Sequence, residues 1–180
     1  MGNKCPDISV IMAVFNGEKY LQEAIESILV QTFSNFEFII VDDGSTDNSA
    51  NIVASYKDPR IIFIKQNNRG AASARNVGMK LSRGKYIAIM DSDDVSLNDR
   101  LEKQWSFLEH NPECVAIGSN AVVTDKDGEP LYISKQATSW EDIHSELPKT
   151  PFFNSSTMFV REIAKRCGGY YEEISHGEDL

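Results

Sequence analysis

The sequence predicts an α/β protein: a mostly parallel sheet flanked by helices, with a small antiparallel portion after residue 112. Three observations carry that prediction. Short apolar runs recur through the first two-thirds of the chain. Between them lie stretches with apolar residues at helical spacing, the pattern of strand–helix–strand units. After Pro112 this alternation gives way to short runs flanking Asp127-Gly128, a hairpin-type turn.

Each element follows from its residues. Ile8–Val14 is a nearly unbroken apolar run, as expected of a strand buried on both faces. Asn16 is expected to cap the next helix, with Glu18 in its first turn. Leu21, Ala24, Ile25, Ile28 and Leu29 fall on one face of that helix. Residues 36–41 form the second run. Ser45 or Thr46 should start a second helix, with Ile52, Val53 and Tyr56 on its inner side. Residues 61–64 form the third strand, and Ala71–Leu81 reads as a helix with Gly84 as its C′ residue. Residues 85–90 form the fourth strand. Ser96 and Asp99 make a capping box for a helix with the stripe Leu97, Leu101, Trp105 and Leu108. Beyond Pro112, strands are expected at 115–124, 131–134 and 155–160. Short helices are expected from Ser139 and over Arg161–Cys167, the latter ending at Gly168-Gly169. Trp105, Trp140, Cys114 and Cys167 read as core residues.

Composition narrows the function. The chain has 180 residues, 41% hydrophobic and 25% charged, with 18 basic and 27 acidic residues for a net charge of −9. One domain is expected at this length. The acidic balance argues against a nucleic-acid surface, which needs clustered Lys and Arg. An anionic ligand must therefore meet local positive charge or a metal. No apolar run approaches the roughly 18 residues of a membrane span. The start lacks a small-residue cleavage site, and Pro6 breaks the N-myristoylation pattern that Gly2 begins. Cys5, Cys114 and Cys167 form no disulfide framework, which fits a cytoplasmic setting, at most peripheral at the inner face of a membrane. His110, His144 and His176 have no metal-ligand spacing.

Right-handed crossovers place the C-terminal strand ends on one edge, where open parallel sheets bind ligands. Ala13 to Asn16 follow the first run, Asp42 and Asp43 the second, and Asp91 to Asp94 the fourth. Carboxylates converging there repel unless a cation or protons offset them. Oxygen ligands two residues apart suit Mg²⁺ or Mn²⁺ with a substrate phosphate. Taken alone, Asp42-Asp43-Gly44-Ser45 reads as a helix-start turn, and Asp91-Ser92-Asp93 divides between turn chemistry and a metal site. Asp125-Lys126-Asp127 precedes Gly128 in a hairpin and reads as structural.

Together the motifs are more specific. In order they are ISVIMAVFN at 8–16, VDDGSTD at 41–47, NRGAASARN at 68–76 and YIAIMDSDD at 86–94, with Glu178-Asp179 near the end. This pattern resembles the family 2 glycosyltransferases of the GT-A fold. The resemblance implies a single domain over 1–180, cut from a longer protein. Residues 1–110 would be its nucleotide-binding half and 111–180 the start of its acceptor side. It implies inverting transfer from a nucleotide-diphosphate sugar, a UDP-sugar above all, to a saccharide or lipid-linked acceptor. The setting would be polysaccharide or glycoconjugate synthesis.

Roles follow residue by residue from that resemblance. Asp43 would accept the imide N–H of the base, since an ionised carboxylate can only accept. Asp42 would orient its loop. Ala13 and Phe15 match the segment along the nucleoside, Phe15 where many relatives carry Tyr; a core role for Phe15 stays open. Asp91 would touch the ribose or the metal, Mn²⁺ or Mg²⁺, and Asp93 would bind the metal, which helps the leaving group depart. Arg75 would face the nucleotide site, or be a surface arginine. Asp179 would be the catalytic base, or part of a charged frayed end. Two alternatives remain beside this reading. One is a GT-A-like nucleotide-binding module without catalysis. The other is a phosphatase with Asp91 as nucleophile.

Overall fold

The computed structural model describes residues 5–126, 128–146 and 153–173. The four parallel strands are β1 (Ile8–Val14), β2 (Phe36–Asp42), β3 (Ile61–Lys65) and β4 (Tyr86–Asp91). Helices α1 (Leu21–Leu29), α2 (Ser49–Ser55) and α3 (Ala71–Leu81) connect them, and α4 (Arg100–His110) follows β4. Then come β5 (Ala116–Ile117), β6 (Val122–Thr124), β7 (Pro130–Ile133), α5 (Trp140–Glu146), β8 (Met158–Val160) and α6 (Arg161–Cys167). The main sheet runs β3-β2-β1-β4-β8-β5, with its last two strands antiparallel to their neighbours. β6 and β7 form a separate antiparallel ribbon. The predicted fold class is borne out.

Why β1 reads as a continuous apolar run is visible in its packing. Val10, Met12 and Val14 meet Leu21, Ala24, Ile25 and Ile28 of α1 and Leu101 and Leu108 of α4. Ile11 faces the other way, toward Met79 of α3 and Ile87 and Ile89 of β4. Each such fully buried side chain contributes about 1.5–3 kcal/mol. α3 lies close enough to need a glycine. A Cβ on Gly78 would stand 2.5 Å from Cγ2 of the fully buried Ile11. Gly78→Ala is therefore expected to destabilise the chain by about 1–2 kcal/mol. A contact this short puts the overpacking in the upper part of the usual range, at about 2–3 kcal/mol, which outweighs the gain of about 1 kcal/mol in helix propensity. Urea denaturation checks this; an unchanged or raised midpoint would contradict it.

Several local expectations are corrected. Asn16 does not cap α1, which starts at Leu21; it takes φ 51° in the preceding loop. α2 starts at Ser49 rather than at Ser45 or Thr46. Gly84 is no left-handed C′ residue. It is needed for room, because a Cβ there would lie 2.5 Å from Ser9 N. The capping box of α4 does not form. Ser96 donates its amide to Ser27 Oγ, and Leu101 N is capped from afar by Gln31 Oε1 at 3.0 Å. Leu97 is left 73% exposed. The run 115–124 splits between two sheets, and Asn154–Ser156 is a 3₁₀ turn ahead of β8. Cys167 is exposed, not core, whereas Cys114 packs partly buried against the main core. Trp105 stacks near Phe33, ring centroids 5.0 Å apart. The Trp140 side chain and Asp127 lie outside the described residues.

Candidate active site

Register alone assembles the acidic edge. Val14 pairs with Asp42 on β2, and Ala13 pairs with Asp91 on β4. The end of β1 is thus flanked by carboxylates from both neighbouring strands. Asp43 N continues the ladder, donating to Val14 O at 2.8 Å.

The loops beyond these strands are laced together. Asn16 Oδ1 accepts Thr46 N at 2.8 Å, and Asn16 N donates to Ser45 Oγ at 3.0 Å. Gly17 N donates to Ser49 Oγ at 2.9 Å, and Asn48 N donates to Glu18 Oε2 at 2.8 Å. Asp42 Oδ1 accepts Ser45 N, three residues on, at 3.0 Å, a side-chain-to-backbone bond that orients its own loop. A Cβ on Gly17 would stand 3.2 Å from Ser92 Oγ, so the loop after β1 also lies against the loop after β4.

Asp43 is 2% exposed and already engaged. Its Oδ1 accepts Gln66 Nε2 at 2.7 Å and Arg69 N at 3.0 Å, and its Oδ2 accepts Gly70 N at 2.8 Å. A carboxylate has about four lone-pair sites, so one remains for a further donor. Asp43→Asn is expected to destabilise the chain by about 1–3 kcal/mol, the penalty of an unsatisfied donor. Either the new amide or the Gly70 N–H must then go unpaired. Denaturant titration reads the loss, and a variant as stable as the unmodified chain would contradict it.

α3 brings the positive charge. Arg75 is buried, and its Nη2 donates to Asp91 Oδ1 at 2.9 Å. Its guanidinium lies over the Tyr170 ring, 5.4 Å from the centroid. This replaces the surface-arginine alternative. Phe15 is 51% exposed at the rim, which excludes the core alternative. Ala13 is half-buried and packs on the Ile39–Val41–Ala74 cluster. Asp93 is exposed. Glu178, Asp179 and His176 lie outside the described residues.

Arg100 was not among the candidates read from the sequence. Its Nη1 donates to Ile89 O at 3.1 Å and also to Ser155 O, while Nε and Nη2 are buried without a hydrogen-bond partner. Burial pushes its pKa down to about 10, against the pull of Asp94 and Asp91. Desolvation lifts the Asp94 carboxyl above its ordinary range; repulsion from Asp91 and Asp93 adds to this, while a Ser155 hydrogen bond and Arg100 oppose it. The available signal was an arginine in the first turn of a helix, where the dipole disfavours a cation.

Among the described residues, no three His, Cys, Asp or Glu side chains are grouped to hold a metal. Mg²⁺ and Mn²⁺ are commonly held by one or two carboxylates plus substrate phosphates, and Asp91 with exposed Asp93 fits that donor set.

The chain as a whole has known relatives. Residues 9–167 match the family model described as Glycosyl transferase family 2. This chain belongs to that family. The chain is 46% identical over 180 residues to the uncharacterized glycosyltransferase MJ1057 of Methanocaldococcus jannaschii, covering 97% of this chain and 62% of that protein. It is 44% identical over 103 residues to the Escherichia coli UDP-Glc:alpha-D-GlcNAc-diphosphoundecaprenol beta-1,3-glucosyltransferase WfaP, covering 57% of this chain and 41% of that one. The crystal structure of S. aureus TarS 1-349 in complex with UDP superposes with a TM-score of 0.78 at 25% identity, over 96% of this chain and 52% of TarS. The chain therefore spans less than two thirds of each. The GT-A fold and the family 2 resemblance are borne out. With the family shown, the phosphatase alternative lapses. Asp91 ends the fourth strand and is paired with Arg75. No helix among the described residues is long and apolar enough to cross a membrane.

Proposed function

We propose that this family 2 domain binds a UDP-sugar at the edge formed by β1, β2 and β4. The sugar then passes, with inversion, to a hydroxyl of a saccharide or lipid-linked acceptor. The observation that carries the reading is the placement of Asp42–Asp43 and Asp91 on either side of the β1 end, with Arg75 bonded to Asp91. TarS in complex with UDP, and the name of WfaP, support the choice of uridine donor.

In this reading Asp43 uses its remaining lone pair for the N3–H of the base. Phe15 and Ala13 lie along the nucleoside. Arg75 balances the negative charge that the diphosphate adds beside Asp91. Asp91 and Asp93 would hold Mn²⁺ or Mg²⁺, which supplies positive charge to the diphosphate as it becomes the leaving group. Asp179 takes the proton from the acceptor hydroxyl. The acceptor oxygen bonds to the anomeric carbon, the bond from that carbon to the phosphate oxygen breaks, and UDP leaves with the electron pair. Residues 1–110 form the nucleotide half, and 111–180 open the acceptor side.

Calorimetric titration of the whole protein with UDP, with and without Mn²⁺, tests the donor. UDP-sugar turnover then tests the transfer. Metal-dependent binding with turnover is expected. A folded protein that binds no UDP under any metal condition would overturn the reading. Binding without turnover, over a panel of UDP-sugars and acceptors, would favour the non-catalytic module.

A further inference from the structure

We infer that Asn76 is a positioning residue for the transfer: it sets the register of residues 169–172 on α3, the helix that also bears Arg75. The inference rests on the donor reading above, and on Asp179 as the base that follows this segment in the chain.

Asn76 lies on α3 with 9% of its surface exposed, beside Arg75. Its Oδ1 accepts Tyr170 N at 2.9 Å, and its Nδ2 donates to Tyr170 O at 2.9 Å. One side-chain amide thus takes both backbone groups of a single residue, as an adjacent strand would. Such a pairing fixes the phase of the passing chain and not merely its proximity. Nδ2 also donates to Glu172 Oε1 at 3.0 Å. Glu172 Oε2 is held by Arg69 Nη2 at 3.1 Å. The Asn76 hydrogen bond, with smaller help from Ser73, Arg69 and Lys80, keeps the Glu172 carboxyl below its ordinary range. Gly169 approaches so closely, at φ 81°, that a Cβ there would stand 2.5 Å from Asn76 Oδ1. The Tyr170 hydroxyl donates to Asn154 Oδ1 at 2.9 Å, while its ring lies under Arg75.

The same short stretch of chain serves the donor side. Arg69 N and Gly70 N hold Asp43, and Arg75 holds Asp91. Residues 69–76 therefore connect both donor-side carboxylates to the segment that precedes Glu178-Asp179. In-line transfer needs the acceptor oxygen about 3–3.5 Å from the anomeric carbon, and a misplacement of about 1 Å can lose about 100-fold in rate. A register clamp of this kind acts on turnover and leaves nucleotide affinity alone. In the sequence, Asn76 was only the last letter of a motif whose role fell to Arg75.

The test uses the whole protein, with UDP as the binding probe. UDP release from UDP-Glc and UDP-GlcNAc, with water as acceptor, measures turnover. In Asn76→Ala, amide exchange within 169–173 should rise at least tenfold, while exchange in 36–43 and 86–91 stays as it was. Its kcat should fall about 100-fold, with UDP Kd and donor KM within about threefold. Asn76→Asp should be worse, because two carboxylates then face each other. Adding Glu172→Gln to Asn76→Asp returns a donor to the pair and should recover at least tenfold in kcat.

Unchanged exchange at 169–173 would overturn the inference. So would a loosened segment with unchanged kcat, or a fall in kcat matched by an equal loss of UDP affinity. An unmodified protein that neither binds UDP nor turns over donor overturns the donor reading and this inference together. Wild-type turnover with a fully active Asn76→Ala variant overturns the inference alone.

Discussion

Asp93→Ala is expected to remove metal-dependent UDP binding, by about 100-fold or more, while leaving the melting temperature within a degree or two. The two halves of that expectation have separate causes. Asp93 is exposed on the loop after β4, and substitutions at such positions usually change stability by no more than about 0.5 kcal/mol. Its loss leaves the proposed cation to Asp91, with one oxygen already bonded to Arg75. A divalent ion bridging to phosphates draws on one or two carboxylates, so removing one of two withdraws much of the protein's share of the coordination. Calorimetry with UDP in Mn²⁺, beside a thermal melt, reads both halves. Unchanged affinity would remove Asp93 from the metal site, and a collapsed melt would make it structural.

Glu37→Ala should do the opposite, destabilising the chain without touching the site. Glu37 sits at the far end of β2 in register with Ser9, 3% exposed. Its Oε1 accepts Ser9 Oγ at 2.6 Å and Arg83 N at 2.7 Å, and its Oε2 accepts Arg83 Nε at 2.8 Å. Ser9 Oγ in turn accepts Gly84 N at 2.9 Å, closing the lower end of the sheet. The Arg83 side chain is 59% exposed, so its charge turns to water when the partner goes. The Ser9 hydroxyl and the Arg83 amide have no such exit. At about 1–3 kcal/mol for each of the two stranded groups, the expected loss is about 2–6 kcal/mol. That is a fall in melting temperature of roughly 4–24 °C for a chain of this size. Glu37→Gln, which keeps the shape and one acceptor, should lose about half as much. A melt unchanged by Glu37→Ala would show that these donors find other partners.

The sheet was legible in the sequence because burial on both faces leaves an unambiguous trace. Ile8–Val14 and residues 36–41 carry almost nothing but apolar side chains, since one face meets α1 and α4 and the other meets α3. The acidic edge was legible too, because strand ends and register follow from the same runs. Capping was not. Local rules place Asn16 and Ser96 at helix starts, yet Asn16 bonds to Thr46 in a distant loop, Ser96 bonds to Ser27 inside α1, and a distant Gln31 caps α4. The motif of Arg75 was visible, but Tyr170, some ninety residues later, covers one face of its guanidinium, and no local pattern encodes that contact. The run at 115–124 misled because Gly118, Ser119 and Asn120, residues that favour turns, break it in the middle, and its two ends join different sheets.

Asp43 carries one more implication. Three of its acceptor positions are spent on Gln66, Arg69 and Gly70, inside the protein. The group proposed to recognise the base is therefore also a rivet of the scaffold around it. Evolution cannot retune that recognition by replacing Asp43 without loosening the turn into α3. Any drift in donor preference must pass through side chains that hold nothing else in place, and at this edge the exposed ring of Phe15 is the readiest of them. Under the proposed role, recognition of the base is tied to the scaffold, and variation in donor preference falls to the side chains around it.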